Sequence, residues 1–377
     1  MRYLLVILCF ALILSGCAAK SQEVLPTLAE ETTVPPTTVP ETQPPDPISE
    51  LLDTLSLEEK VGQLFLARCN RETALQDIEN YHLGGFMLFA ADFENQTPDS
   101  MRQTLSGYQQ SAKIPLLLAV DEEGGTVTRI SRYAAFRDER FPSPRSAYES
   151  GGMAGALENE QEKCDLLNSL GLNVNIGPVC DLSDDPSGFM FARSLGQTPE
   201  TTGEFVAWTV DIMSKSGIGS VLKHFPGYGN NADTHVGIAV DSRSLEALEA
   251  RDLVPFAYGI RANCGAILVS HTIVECLDSQ LPASLSPAVH AYLREDMGYN
   301  GVIVTDDLVM EAITSLYGAG EAAVMAVQAG NDLLCSTDYA AQFNAVLAAV
   351  EDGRISQDTL NTAVYRVLKW KMDLGLL

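Results

Sequence analysis

The stretch LLLAVDEEGG, residues 116–125, runs from five apolar residues directly into three carboxylates and two glycines. An apolar run of this length suits a strand that is buried on both faces of a parallel sheet. Seven further runs in the chain share this character, and helical segments separate them. The eight runs, in order, span residues 64–67, 86–90, 116–120, 174–179, 220–225, 266–270, 302–306 and 332–335.

The segments between these runs carry apolar residues at helical spacing, most clearly in residues 101–112, 245–262 and 359–372. Eight strands that alternate with helices predict the α/β class and, within it, a single (β/α)8 TIM-like barrel. A doubly wound open sheet is the alternative, but no G-x-G-x-x-G fingerprint follows an early strand.

The first 17 residues, MRYLLVILCFALILSGC, consist of one early Arg, an apolar run and small residues before Cys17. This order is typical of a secretory signal peptide, and the run is too short for a good membrane-spanning helix. Its end resembles the lipobox of bacterial lipoproteins, which implies removal of residues 1–16 and lipidation of Cys17. An ordinary signal peptide with an incidental cysteine is the alternative.

Residues 17–47 form a second region, rich in Pro, Thr and Glu and poor in large apolar residues. Such a composition cannot bury a core, so we expect a lipidated N-terminus followed by a disordered stalk. Residues 48–377 remain for the barrel domain. Together the regions predict an exported, extracytoplasmic protein that contacts the bacterial cell membrane through its N-terminal lipid anchor alone.

The formal net charge of −26 argues against a nucleic-acid partner and against direct contact of the domain with an anionic membrane. The six cysteines in residues 48–377 show no C-x-x-C pair or disulfide framework, so we expect most to be small buried residues. A zinc site built on His224 and His235 lacks an H-E-x-x-H motif. We therefore predict no metal and no cofactor.

Charged residues lie at the carboxyl ends of three of the predicted strands, either as the last residues of the strand or directly after it. They include Asp121 and Glu122 after one strand, Lys223 and His224 in another, and Asp306 in a third. The carboxyl ends of barrel strands meet at one face, where barrel enzymes hold their active sites. A lone Asp after a strand is often only a cap or turn residue, whereas several on one face indicate a functional site.

The stretch KHFPGYGNNADTH, residues 223–235, contains two of the five histidines. Gly227 and Gly229 suit an irregular loop that leaves its strand at a proline. Asp233 and His235 stand two residues apart, so the carboxylate can orient the imidazole and raise its basicity. The spacing alone is equally compatible with a structural role, in which Asp233 caps the next segment and His235 is a surface residue.

This loop closely resembles the K-H-F-P-G-H-G-x(3)-D-[ST]-H signature of family three glycoside hydrolases, in particular their bacterial β-N-acetylglucosaminidase branch. The resemblance extends from about Leu55 to the C-terminus. Further motifs in the family's order are VDEEGG at 120–125 with Arg129, ARSLG at 192–196, SH at 270–271, PASLS at 282–286 and VTDDLVM at 304–310. The resemblance implies a barrel hydrolase that acts on a β-linked amino-sugar glycan.

The resemblance also implies roles for individual residues. Asp306 takes the place of the nucleophile, and His235, with Asp233 as its partner, takes that of the acid/base. The expected reaction is retaining removal of a terminal β-linked N-acetylhexosamine, for example from peptidoglycan fragments, through a covalent glycosyl-Asp306 intermediate. The implied sugar-binding residues are Asp121, Arg129, Arg193, Lys223 and His224.

Two positions depart from the family pattern, because Tyr228 replaces a histidine and Glu122 a common glutamine. Neither change removes a catalytic group, and the effect of both on the sugar contacts stays open. Three other functions stay open. They are a substrate-assisted hexosaminidase that uses the adjacent Asp306 and Asp307, a glycoside phosphorylase, and a catalytically inactive wall-binding lipoprotein. The remaining histidines, expected at the rim, in structural positions or on the surface, are His82, His271 and His290.

Overall fold

Eight parallel strands form the centre of the computed structural model, which describes residues 46–229 and 237–377. They are β1 (Phe65–Arg68), β2 (Gly85–Leu88), β3 (Leu117–Val120), β4 (Val174–Asn175), β5 (Gly219–Phe225), β7 (Ala266–Val269), β9 (Val302–Thr305) and β10 (Leu334–Ser336). Neighbouring strands pair in the order β10-β1-β2-β3-β4-β5-β7-β9. Leu333, beside β10, pairs with Val304 in β9, and this bridge closes the sheet into a barrel.

The closed sheet confirms the predicted (β/α)8 barrel and excludes the doubly wound open sheet. Each predicted apolar run contributes a strand, but several predicted bounds were wrong. The run at 174–179 is a strand only at Val174–Asn175, because Pro178 has no N–H to donate to a ladder. Ala90 begins a helix instead of ending a strand, and β9 ends at Thr305, which leaves Asp306 just beyond it.

Helices surround the barrel. In chain order they are α1 (Pro47–Asp53), α2 (Leu57–Gln63), α3 (Ala74–Tyr81), α4 (Ala90–Phe93), α5 (Pro98–Ser111), α6 (Pro144–Leu170), α7 (Pro199–Lys215), α8 (Leu245–Glu249), α9 (Leu253–Arg261), α10 (Pro287–Ala291), α11 (Glu311–Thr314), α12 (Ala319–Ala329), α13 (Tyr339–Glu351) and α14 (Gln357–Asp373). A 3₁₀ turn at Ala283–Leu285 and a π-helical turn at Tyr292–Asp296 flank α10. A small second sheet pairs β6 (Val240–Asp241) with β8 (Ile273–Val274), which the sequence did not predict.

The predicted helices agree with the structure except in one segment. The helix expected over residues 245–262 is divided into α8 and α9, because Pro255 cannot donate to the carbonyl four residues earlier. Helix α5 begins before the predicted residue 101, because Thr97 caps the amide of Ser100 and a proline occupies the first helical position.

The interior of the barrel is filled by one side of each strand. Leu66, Leu117 and Val304 belong to this inner cluster, whereas the neighbouring Phe65 packs outward against the helices. Trp370 of α14 belongs to the inner cluster too, and its indole approaches so closely that a Cβ at position 265 would lie 2.1 Å from Nε1. Gly265 is therefore required for this close approach.

Six free cysteines lie in the described ranges: Cys69, Cys164, Cys180 and Cys264 are buried, Cys335 is partly buried and Cys276 is exposed.

Within residues 46–229 and 237–377, no helix combines the length and the apolar character needed to span a membrane. The first helix begins at Pro47. Residues 1–45 lie outside the described residues, so the division into signal peptide and stalk stays a prediction, as does the domain boundary at residue 48; Asp46 and Pro47, the last two residues assigned to the stalk, cap and begin α1.

Candidate active site

A cavity of about 830 Å³ opens at the carboxyl ends of the barrel strands. Barrel strands direct the residues that follow them to this face, so charged side chains from distant parts of the chain meet there. Six of the residues implied by the resemblance line this cavity: Asp121, Arg129, Arg193, Lys223, His224 and Asp306. Asp233, His235 and Cys17, the other three, lie outside the described residues.

Lys223 is the centre of an ionic cluster on the cavity wall. Its Nζ lies 2.6 Å from Asp121 Oδ1 and 2.5 Å from Glu123 Oε1. Glu123 also accepts from Arg193, at 2.9 Å from Nε and 2.7 Å from Nη2. Arg129 approaches the second oxygen of Asp121 at 3.5 Å. The cations in this cluster are therefore held by carboxylates that follow β3.

The cluster is buried at its base and open towards the cavity. The side chains of Glu123 and Lys223 are 2% and 3% exposed, whereas that of Asp121 is 15% exposed. Burial raises the pKa of Glu123, but the charges of Lys223 and Arg193 outweigh burial and hold it well below its ordinary value. Glu123 is therefore ionised at neutral pH and balances two cations at once.

His224 is held by Asp181, a buried carboxylate that was not assigned a role from the sequence. Asp181 Oδ2 lies 2.7 Å from His224 Nδ1 and accepts from the His224 backbone amide at 3.0 Å. Its other oxygen accepts from the Tyr228 amide at 2.7 Å. The opposite ring nitrogen of His224 lies 3.3 Å from Arg193 Nη2. His224 therefore connects Asp181 to the ionic cluster.

Asp306 and Asp307 both line the cavity but differ in their surroundings. Asp307 accepts from the hydroxyl and the amide of Thr337, at 2.5 and 3.1 Å, and from the amide of Val309. Burial raises the pKa of Asp307 above its ordinary value despite these donors. One oxygen of Asp306 accepts from the Asp307 amide at 2.9 Å. The two adjacent carboxylates thus have distinct environments.

Glu122 is not among the residues that line the cavity. Its side chain is fully buried and accepts from the amides of Arg129 and Ile130 at 2.8 Å and from the Ser131 hydroxyl at 2.5 Å. It therefore supports the loop that carries Arg129. Tyr228 is buried as well, and its ring meets that of His224 edge-on, with 5.1 Å between centroids.

The other histidines have structural surroundings. His271 is buried behind the rim, with Nδ1 2.7 Å from Ser284 Oγ and Nε2 3.0 Å from the Asp307 carbonyl. His290 is buried too, and its Nδ1 lies 2.8 Å from the carbonyl of Ser286. His82 ends α3 in a left-handed conformation.

Two residues of this site, Glu123 and Asp181, were not assigned a role from the sequence. Both follow an apolar run by a few residues, which is the same signal that indicated Asp121 and Asp306. Among the described residues, no three His, Cys, Asp or Glu side chains are grouped as metal ligands.

Comparison with known proteins relates the whole barrel to one family. Residues 56–370 match the N-terminal domain of glycosyl hydrolase family 3. Beta-hexosaminidase A of Pseudoalteromonas piscicida is 31% identical over 325 residues, which cover 79% of this chain and 54% of that protein. A beta-hexosaminidase of Methylococcus capsulatus is 34% identical over 278 residues, which cover 71% of this chain and 80% of that protein.

A solved structure shows the same similarity. The family 3 β-N-acetylglucosaminidase of Paenibacillus sp. FPU-7 superposes with a TM-score of 0.80 at 33% identity, over 86% of this chain and 63% of that one. The present chain therefore spans about half of the Pseudoalteromonas relative and under two thirds of the Paenibacillus chain. The similarity lies in the barrel that carries the cavity described above.

Proposed function

Because this chain belongs to glycosyl hydrolase family 3, we propose that it is a retaining exo-β-N-acetylhexosaminidase that removes terminal β-linked N-acetylhexosamine. One observation carries the proposal: Asp306 lines the same cavity as the five residues expected to hold the sugar. The relatives named as beta-hexosaminidases and the Paenibacillus β-N-acetylglucosaminidase support this choice of sugar. The reaction requires no metal or cofactor.

The proposed reaction has two steps. In the first, an Asp306 oxygen bonds to the anomeric carbon while the glycosidic bond breaks, and His235 gives its proton to the leaving oxygen. In the second, water attacks the same carbon, the ester bond to Asp306 breaks, and His235 takes the proton of the water. Two inversions give net retention. Asp233 would orient His235 and stabilise its charged form.

The ionic cluster suits recognition of a polar, uncharged sugar. Asp121 is partly exposed to the cavity and offers acceptors, while Lys223 and Arg129 offer donors. Arg129 lines the cavity with a side chain that is 22% exposed, so its guanidinium can donate to a sugar hydroxyl there. Because each cation is already paired with a carboxylate, the cluster favours hydroxyl groups over an added anion.

The surroundings of Asp307 favour the covalent route over the substrate-assisted one. In the substrate-assisted route Asp307 would have to turn towards the acetamido group, whereas it already accepts three hydrogen bonds from Thr337 and Val309. Asp306 lines the same cavity as the five residues expected to hold the sugar, which is the position that a nucleophile requires. Transfer of the sugar to phosphate instead of water is the alternative, and the assay of aryl glycosides with and without phosphate distinguishes the two.

The predicted lipid anchor and stalk support an extracytoplasmic location, with peptidoglycan fragments as the glycan within reach of the membrane. The protein would then be exported and held at the cell membrane by the lipid on Cys17. Cys17→Ala should move the full-length protein from the membrane fraction to the soluble fraction. It should also abolish the incorporation of radiolabelled palmitate into the protein. A variant that keeps its membrane association without acylation would refute the anchor.

The activity is tested with aryl β-glycosides of N-acetylglucosamine, N-acetylgalactosamine and glucose, each with and without phosphate. We expect N-acetylglucosaminide hydrolysis that does not depend on phosphate. Phosphate-dependent release of a sugar phosphate would identify a phosphorylase, and no turnover with any sugar would indicate a binding lipoprotein.

The nucleophile is tested with a slow fluorinated β-N-acetylglucosaminide, which should leave a glycosyl group on the peptide that contains Asp306. Asp306→Ala should abolish both labelling and turnover. Asp165→Ala, a matched change of an exposed carboxylate on α6, should leave both intact. Turnover without any trapped ester would favour the substrate-assisted route.

A further inference from the structure

Asp181 contacts both His224 and the start of the loop that follows β5. Its side chain is fully buried. It accepts three hydrogen bonds, from His224 Nδ1, the His224 amide and the Tyr228 amide. Burial raises the pKa of Asp181, but the charge interaction with His224, the hydrogen bonds from His224 and Tyr228, and the Arg193 charge together outweigh burial and bring it below its ordinary value. Asp181 is therefore ionised at neutral pH.

An ionised Asp181 determines which nitrogen of His224 carries the proton. A carboxylate only accepts, so the 2.7 Å contact with Nδ1 requires a proton on Nδ1. On the other side of the ring, the Arg193 guanidinium only donates, so the 3.3 Å contact with Nε2 requires Nε2 to accept. Both contacts are satisfied by the neutral Nδ1–H tautomer alone.

This tautomer in turn orients Arg193. A guanidinium has five N–H groups, and four of them have partners here. Nε and one hydrogen of Nη2 go to Glu123, the other Nη2 hydrogen goes to His224 Nε2, and one Nη1 hydrogen approaches Met190 Sδ at 3.5 Å. In the described part of the chain, one Nη1 hydrogen is left without a partner, and Arg193 lines the cavity.

We propose that Asp181 is a positioning residue of this site: it holds His224 as the Nδ1–H tautomer, so that Nε2 accepts from Arg193 and fixes the guanidinium at the cavity. Asp181 does not itself line the cavity and acts through His224. Its effect on turnover rests on the function proposed above, whereas its effect on the His224 tautomer does not.

The tautomer is measured by two-bond proton–nitrogen correlation spectra of the full chain labelled with ¹⁵N-histidine, with His224→Gln to assign the signal. In the unchanged protein at neutral pH, His224 should be protonated on Nδ1 alone. A signal from Nε2–H, or from the doubly protonated ring, would overturn the proposal without any variant. This measurement needs no substrate.

Asp181→Asn then tests the cause. The neutral amide accepts more weakly than the carboxylate, and its NH₂ must oppose either the His224 donors or the Tyr228 amide, so the preference for a proton on Nδ1 falls. We expect loss of the Nδ1–H signal and a fall in kcat/KM of about 10- to 100-fold, the range seen when residues that orient metal ligands are removed. Unchanged His224 signals in a folded Asp181→Asn protein would refute the proposal.

Asp252→Asn is the matched control. Asp252 is a second buried carboxylate beside the same loop, but it pairs with Arg243 at 2.6 Å and forms no hydrogen bond with His224 in the described residues. The His224 signal should be unchanged in this variant; a loss equal to that in Asp181→Asn would show a general loosening of the loop and contradict the proposal. If no β-N-acetylglucosaminide is hydrolysed but the tautomer responds to Asp181→Asn, only the proposed function fails.

Discussion

Glu123 holds the Arg193 guanidinium with both carboxylate oxygens, at 2.9 Å from Nε and 2.7 Å from Nη2. One of these oxygens also lies 2.5 Å from Lys223 Nζ. A two-point contact between a planar guanidinium and a carboxylate is directional as well as strong. Glu123 therefore sets the position of two cations that face the cavity. The family resemblance assigned sugar contacts to Asp121 and Arg129, on either side of it in the chain, and no role to Glu123.

Replacement of Glu123 by Gln should destabilise the protein and impair turnover. The change removes the negative charge that balances two buried cations, and breaking a buried ion pair in this way costs about 3–5 kcal/mol. Urea unfolding measures the loss in free energy of unfolding. Glu162→Gln is the control, because Glu162 pairs with Arg137 at the surface, where a pair contributes at most about 1 kcal/mol. Equal losses in the two variants would contradict the role of Glu123.

Glu122→Gln should lower stability but leave the affinity for sugar unchanged. Glu122 accepts from the amides of Arg129 and Ile130 and from Ser131, and a glutamine NH₂ would face one of these donors. We expect a loss of about 1–3 kcal/mol in the free energy of unfolding. A large change in KM with unchanged stability would mean that Glu122 contacts the substrate after all.

Lys371 should make stability depend on pH above neutrality. Its ammonium is fully buried, donates to Gln63 Oε1 at 2.7 Å, and has a pKa lowered by burial from 10.5 to about 7. Between these values the unfolded chain binds the proton that the folded protein has released. The contribution of Lys371 to the free energy of unfolding therefore rises with pH across this window, by up to about 1.4 kcal/mol per pH unit, and is lost as pH falls.

Lys371→Met removes this group. Relative to the unchanged protein, the variant should be most stabilised near neutral pH, and the difference should shrink as pH is raised from about 7 to about 10 in urea unfolding experiments. Lys369→Met, an exposed position on the same helix paired with Asp373, should show no such trend. A pH-independent difference for Lys371→Met would show that Lys371 titrates normally.

His235→Ala should impair natural-type glycosides far more than aryl glycosides with acidic phenols, because good leaving groups need little protonation. The expected loss with a poor leaving group is about 10²–10⁴-fold in kcat/KM. Azide, which needs no deprotonation, should restore turnover of activated substrates and give the β-glycosyl azide. Asp233→Ala should show a milder form of this pattern, since it disorients the imidazole without removing it.

An equal loss for all leaving groups, with no rescue by azide, would make residues 230–236 a binding segment. The acid/base role would then belong to another group. The leaving-group series thus separates the two interpretations that the Asp233–His235 spacing alone leaves open.

Much of the barrel and of its cavity could be predicted from the sequence, because both are encoded in short segments. The apolar runs predicted every strand of the barrel, and the motif containing Asp306 indicated the cavity face. Strand ends and the division of residues 245–262 were predicted less well. Those features depend on local interruptions, such as Pro255 in α9 and Pro178 after β4.

Local sequence by itself determined the strands, the helices and the set of polar residues at one face of the barrel. Only the tertiary structure decided which of them pair. Glu122 and Glu123 are adjacent and chemically alike, yet one supports a loop and the other holds Arg193, 70 positions away in the chain. Successive side chains of an extended segment point in opposite directions, and an ion pair between such distant residues leaves no local pattern. Closure of the barrel is what brings the partners together.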